Sequence, residues 1–461
     1  MNDKIPSRVI GAVVATGLMS FCGVVVETAM NITFPTLMQE FHVATDTVQW
    51  MTTLYMLVVA SMVPLSATLK HRFKTKQLFL SAITLFIIGV VLDAIAPNFT
   101  ILLLGRGIQG LGTGISLPLM FNIILEQVPQ PKIGAMMGVG TLITGVAPAI
   151  GPTFGGTLIA MLNWRYIFIL LLPLLIFALI LGLFCIEQKS PIVHANIDTI
   201  SVILIVLTFC GLIFGISNIG STRLVSVSVA GALLLGVIAL GLFIFRSTRI
   251  AHPIINLSLL GNQFFSGHLI AFALLEIIAL GVSFLLPNYI QIVNRSSALQ
   301  AGLIVLPGAA LGAIAAPLSG RLYDYVGGRL PLRSGGLIAL LGIAAFMLMS
   351  HHLNDMLIIF LYIIFMVGIG SSFGNLMTNG LQQLNRTDQT DGNALFSTVQ
   401  QFCGAVGTSL AAAIIAAGQA ETASLSVGTA TGSFHVLILF VILSLAELVI
   451  IIWATNKPVT H

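Results

Sequence analysis

Apolar runs of bilayer length follow one another from end to end of the chain, separated by short polar connectors. A hydrocarbon core about 30 Å thick takes roughly twenty apolar residues wound as a helix, which rises about 1.5 Å per residue. By that measure the pattern predicts fourteen spans, near residues 9–34, 47–69, 77–96, 99–124, 133–161, 165–186, 199–219, 224–245, 264–287, 300–322, 332–350, 355–378, 391–418 and 433–454. No connector approaches the ~50 residues of a small soluble domain. Lipid offers no partner to backbone N–H and C=O groups, so runs of this kind must be helices. The expected fold class is an all-α polytopic membrane protein.

The first run follows Lys4 and Arg8 as a signal peptide would, but it is too long, has no small-residue cleavage site and contains Glu27. It reads as the first span. An even number of spans puts both termini on one side, and the positive-inside rule selects the cytoplasm. The inner connectors then carry Lys4, Arg8, Lys70, Arg72, Lys74, Lys76, Lys132, Lys189, Arg246, Arg249, Arg321, Arg329, Arg333, Arg386 and Lys457, and the outer ones only Arg165, Arg223 and Arg295. One missed span would scramble that sorting.

A repeat organises the chain. Pro64-Leu65-Ser66-Ala67-Thr68-Leu69-Lys70-His71-Arg72 aligns with Pro317-Leu318-Ser319-Gly320-Arg321-Leu322-Tyr323-Asp324-Tyr325, sharing the Pro-Leu-Ser and the second Leu. Each copy closes the second span of a half and enters a basic connector. The spans therefore divide 6+2+6: a six-helix half over residues 1–190, two inserted helices and their linkers over 191–260, and a second six-helix half over 261–461. Like-oriented halves are a transporter architecture in which substrate sites lie near the midplane where the repeats meet.

Composition agrees and excludes other classes. Hydrophobic residues make up 57% and charged residues 7% of the 461, against about 25% charged in a soluble domain. The net charge of +4 is an orientation signal and implies no nucleic-acid partner. No Gly-Lys pair exists, hence no phosphate-binding G-x-x-x-x-G-K-[ST] loop, and H-E-x-x-H does not occur, so ATP hydrolysis and metalloprotease chemistry find no support. An enzyme is not expected, nor a metal site or cofactor. Cys22, Cys185, Cys210 and Cys403 fall in or beside apolar runs as small apolar side chains. Trp50, Trp164 and Trp453 fall at span ends, where interfacial aromatics belong.

Candidate chemistry lies in the few charges inside the spans. Glu27 costs at least ~2.5 kcal/mol near a bilayer centre, which points to a cavity or a partner; the alternative is a solvated residue near the outer end of its helix. Arg106 is the one basic residue deep in a span. Arg106, Gln109 and Thr113 share a face, with Gly105, Gly107, Gly110 and Gly112 allowing a neighbour close. Glu27 or a bound anion is the economical partner for Arg106, and snorkelling to an interface is the alternative. Glu276 sits mid-run in the ninth span, the counterpart of the first, so two carboxylates can enter one cavity from opposite halves. His268, Phe272 and Glu276 share a face and suggest a proton path, although His268 also fits an interfacial position. Glu447 is a third buried acid with a lipid-edge or interhelical alternative, and Asp93 reads as solvated near an outer helix end. Asn31, Gln109, Asn375, Asn379, Gln400 and Gln401 are amides able to line a polar path and equally able to bind helices together. Gly145, Pro148, Gly151, Pro152, Gly155 and Gly156 make the fifth span a pliable seam, since proline frees carbonyls and glycine permits close packing.

Arg106-x-x-Gln109-Gly110, the Gly145–Gly156 segment, the Gly320-x-Leu322-x-Asp324-x-x-Gly327 loop and Trp164-Arg165 together resemble the major facilitator superfamily. The fourteen-helix drug:proton antiporter branch of lincomycin-resistance type fits best, with Glu27-Thr28, Asn31 and Pro35 resembling its first-helix signature. The resemblance implies a major facilitator fold and proton-coupled efflux of amphipathic drugs by alternating access. It also implies a proton gradient as the energy source and a monomer in a bacterial cell membrane. Glu27, Arg106 and Glu276 would then couple protons. In the first half the loop departs from the family pattern, with His71 in place of the Asp and Lys74 in place of the last Gly. The cytoplasmic latch would rest on Asp324 with Arg321 or Arg329. A dedicated exporter or importer of one metabolite, peptide or lipid-like molecule is the alternative, and a non-transporting sensor a more distant one.

Overall fold

The computed structural model describes residues 5–43, 45–189, 192, 198–218, 226–250, 253–350 and 353–456, so Lys4, Arg223 and Lys457 of the charge argument lie outside it. Fourteen long helices follow in chain order: α1 (Ser7–Met30), α2 (Trp50–Arg72), α3 (Thr75–Ala94), α4 (Phe99–Gln127), α5 (Ile133–Met161), α6 (Arg165–Cys185), α7 (Thr199–Ser217), α8 (Val227–Ser247), α9 (Gln263–Ile292), α10 (Ala298–Val326), α11 (Arg329–Leu348), α12 (Asp355–Gln382), α13 (Gln389–Ala420) and α14 (Leu425–Ala454). Thirteen are long and apolar enough to cross a membrane among the described residues. The fourteenth by length is the 29-residue α5, some of whose side chains lie outside the description.

Polar residues at the connectors set the helix starts. The side chains of Asn98, Asp198, Ser297 and Asn354 each accept from the backbone N–H three residues on, and Asn262 accepts from Phe264 and Phe265. Two ends depart from the hydropathy pattern. The first run breaks at Met30 into a 3-10 turn over Asn31–Thr33 and restarts as a short helix Phe34–Phe41, because Pro35 has no N–H and is tolerated in a helix's first turn. The last helix begins at Leu425 rather than near 433, its polar first turns held by Thr429, which donates to the Leu425 carbonyl and accepts from Gln419.

The chain resolves into two compact units: residues 1–133 with 143–197, and residues 134–142 with 198–461. In the first, α1 packs on α4 and α6, α3 packs on α4 and α6, and α2 lies against α4. In the second, α9 packs on α12, α13 and α14, while α12 packs on α10 and α11. The α7–α8 hairpin belongs to this second unit and rests on α13. Arg246 grips Asp198 at the mouth of that hairpin through bonds of 2.6 and 2.8 Å, which hold the Asp198 carboxyl well below the usual carboxylate range.

The two copies of the repeat fold differently. Pro64 sits in a 3-10 turn, Val63–Leu65, whereas α10 runs unbroken through Pro317. α10 stops at Gly327, whose φ of +78° only glycine adopts easily. Its counterpart Lys74 has φ −62° and ψ 138°, an extended exit that any side chain accommodates. The missing glycine of the first copy therefore reflects a different turn.

Candidate functional site

A polar cluster inside the first unit holds the charges that the sequence singles out. Asp93 on α3, Arg106 and Gln109 on α4 and Tyr55 on α2 are fully buried, and Glu27 on α1 is half-buried. The expected direct Glu27–Arg106 ion pair is not what the structure shows. Among the described residues Glu27 has no hydrogen bond, and it acts on Arg106 through space. Arg106 donates to Gln109 Oε1 (2.8 Å) and to the Met51 carbonyl (3.2 Å), with its guanidinium 4.1 Å from the centre of the Tyr55 ring. Gln109 in turn donates to Asp93 Oδ2 at 2.7 Å. The Tyr55 hydroxyl is within bonding distance of the Gly23 carbonyl (3.0 Å) and Thr113 Oγ1 (2.9 Å), which ties α1, α2 and α4 around the cluster.

Asp93 corrects the sequence reading: it is buried, not solvated, because α3 and α4 meet closely enough to cover it. A spacing signal was present. Gly89 and Asp93 lie four apart on α3, as do Gly105 and Gln109 on α4, so each helix offers a small residue and a polar one on a single face. Trp164 falls at a span end as expected, at the start of α6, and is fully buried there. Its Nε1 donates to Glu40 Oε2 while Arg165 donates to Glu40 Oε1, each at 2.7 Å, and Arg165 also reaches the Ala96 carbonyl. Burial pushes the Glu40 carboxyl up, but the bonds from Trp164 and Arg165 outweigh it and leave the group below its ordinary value.

α5 presents its glycines to α1. A Cβ on Gly151 would collide with Thr28 Oγ1 and one on Gly155 with the Ala29 carbonyl, whereas Gly145 and Gly156 face open space. The pliable-seam segment thus packs on the very turn that carries Glu27. The helix is continuous past Pro148; the side chains of Pro152 and Asn31 lie outside the described residues.

In the second unit Glu276 is 5% exposed, faces Gly404 of α13 with Oε1 3.7 Å from a Cβ built there, and has no bonded partner among the described residues. His268 is buried, and its Nδ1 lies 2.7 Å from the Phe264 carbonyl. Phe272 separates it from Glu276, its ring packed on Phe373 and Phe396, so the expected column is interrupted by aromatics. Glu447 is fully buried with neither carboxyl oxygen hydrogen-bonded. Asn375 donates to Ser319 Oγ and the Ser371 carbonyl, and Asn379 donates to the Tyr323 hydroxyl, so both amides tie α12 to α10. Gln400 and Gln401 are half-buried on α13 and make no such bonds among the described residues.

The latch residues are rearranged as well. Asp324 takes the backbone N–H groups of Gly134 (2.8 Å) and Ala135 (2.9 Å) at the start of α5, a helix N-terminus that favours an anion, and neither expected arginine. Arg329 bonds the Thr455 and Asn456 carbonyls beyond α14, and Arg321 is exposed. In the first copy of the loop Lys70 is buried and pairs with Glu126 of α4 at 3.0 Å, an interaction that sequence spacing gave no reason to expect.

Residues 16–408 match the family description "Major Facilitator Superfamily". Lincomycin resistance protein LmrB of Bacillus subtilis is 37% identical over 414 residues, covering 89% of this chain and 86% of that protein. Its namesake in Listeria monocytogenes is 36% identical over 408 residues, with 88% and 87% covered. A multidrug resistance protein B homolog of Mycobacterium tuberculosis is 27% identical over 412 residues, with 88% and 76% covered. Among solved structures, the human organic anion transporter MFSD10 (TETRAN) superposes with a TM-score of 0.62 at 14% identity, covering 96% of this chain and all of that one, a likeness of fold alone.

Proposed function

This chain belongs to the major facilitator superfamily, and on that premise we propose that it exports amphipathic drugs, lincomycin among them, in exchange for protons by alternating access. The observation that carries the reading is the buried acid–base cluster around Glu27 and Arg106, in a chain similar along most of its length to proteins named for drug resistance. A carboxylate with no bonded partner beside a buried guanidinium can take up and release a proton at modest cost as its access to water changes. Glu27 is the proposed coupling acid, and Glu276, which has no ion-pair partner among the described residues, the second acid. Asn31, Gln400 and Gln401 are proposed substrate contacts.

The energy suffices. One proton entering down ~100 mV supplies about 2.3 kcal/mol, enough for roughly a fifty-fold gradient of a neutral drug. No cofactor enters the scheme. The protein is read as a monomer in a bacterial cell membrane with both termini cytoplasmic.

A panel of unrelated antibiotics and dyes, lincomycin included, tests the breadth. Expression in a drug-sensitive host is expected to raise resistance to several chemical classes, with loss of that resistance when the proton gradient is collapsed. Movement of a single class would favour a dedicated carrier. Resistance that survives collapse of the gradient would contradict proton coupling.

A further inference from the structure

Among the described residues, the cluster on α1–α4 sets Arg106 near two acids, Glu27 and Asp93, and of the two Asp93 reaches the base through bonded groups. Gln109 is the link, its carbonyl oxygen on the guanidinium of Arg106 and its amide nitrogen on Asp93 Oδ2. An amide set this way puts its negative end on a cation and its positive end on an anion, the orientation that stabilises an ionised Arg–Asp pair one amide apart. The fold makes room for it. A Cβ on Gly105 would take the place of Asp93 Oδ1, and one on Gly89 would run into Gln109 Cγ. Asp93 and Arg106 are both 0% exposed, so water balances neither charge. Glu27 acts on Arg106 through space, and Arg106 Nη2 is left without a hydrogen bond. The other groups facing Asp93 are accounted for. α4 presents Arg106, α2 presents Tyr55 on the guanidinium, and Arg165 at the start of α6 is committed to Glu40 and the Ala96 carbonyl.

We propose that Asp93 is the standing counter-ion of Arg106, held to it through Gln109, and that this leaves Glu27 free to exchange its proton. The charges balance simply. Arg106 with Asp93 is neutral; Glu27 adds one negative charge when ionised and none when protonated. The centre then switches by a single charge, as a proton joins a Glu27 carboxylate oxygen from water and later leaves it to water. Without Asp93, Glu27 is left as the one carboxylate near Arg106 among the described residues, and protonating it requires a more acidic medium. Asp93 is thus a positioning residue, and its role rests on Glu27 being the coupling acid.

Asp93→Asn in proteoliposomes tests this, with lincomycin as the probe in two assays: uptake driven by a pH gradient, and counterflow without one. The pH profile of driven uptake is expected to shift toward acid by about one unit, a tenfold change in proton concentration, while counterflow stays within about twofold. An unshifted profile overturns the proposal, as does loss of counterflow at every pH in a folded variant. Gln109→Leu, which keeps both charges and cuts the link, serves where Asp93→Asn does not reach the membrane, and the same shift is expected. If wild-type vesicles show no gradient-driven lincomycin flux, the transport reading fails, and infrared titration of purified protein decides the counter-ion role separately. The carboxylic-acid C=O band lost in Glu27→Gln should appear at lower pH in Asp93→Asn. A band that stays in place refutes the role.

Discussion

At the scale of residues, several of the protein's few charges have defined partners, and the effect of those contacts is measurable. Glu40 holds Trp164 and Arg165 through one carboxylate, with its carboxyl below the ordinary value of 4.5. A carboxyl depressed by folding stabilises the fold above its unfolded pKa, and that stability is lost as pH falls through the folded value. Glu40→Gln should therefore lower the thermal midpoint at neutral pH, and the gap from wild type should close on acidification below about 4.5. A gap that stays constant into that range contradicts an ionic clasp. The sequence made Glu27 and Arg106 conspicuous because each is a lone charge in an apolar run. It hid Asp93, which lies three residues before an Ala-Pro at a helix end and is buried only because glycines on two helices bring α3 and α4 together.

At the scale of elements, α5 is the helix whose composition most directly sets its packing. Gly151 and Gly155 meet Thr28 and Ala29 of α1, whereas Gly145 has no neighbour within 4 Å of a built Cβ. Gly151→Val should cost about 1–3 kcal/mol through overpacking and lower the thermal midpoint, with transport reduced along with it. Gly145→Ala should leave the midpoint unchanged or slightly raised. Equal effects at the two positions would mean that the seam is not where α5 and α1 touch. Hydropathy located every long helix, since span length is dictated by the bilayer. It missed the short helix Phe34–Phe41 and the early start of α14, where Pro35 and a polar turn around Thr429 decide the boundary instead of apolar content. The repeat was equally legible, but its two turns diverge at Lys74 and Gly327 because a backbone φ is invisible to a comparison of residue types.

At the scale of the whole molecule, fourteen long helices among the described residues, in two compact units, supply the family fold. The buried charge carried by that fold has a cost only a function repays. Each ionised group inside a span makes insertion less favourable by at least ~2.5 kcal/mol, yet Glu27, Asp93, Arg106, Glu276 and Glu447 are all present. In the proposed scheme three of them share one task, with Glu27 carrying the proton, Arg106 setting its affinity and Asp93 balancing the base. The most direct test follows lincomycin and proton movement together in proteoliposomes, for wild type and for Glu27→Gln. Wild type should move protons inward as lincomycin moves outward, and Glu27→Gln should lose the coupled proton movement while retaining lincomycin counterflow. Proton movement at the wild-type rate in Glu27→Gln would contradict the account and shift the coupling to another acid, Glu276 first.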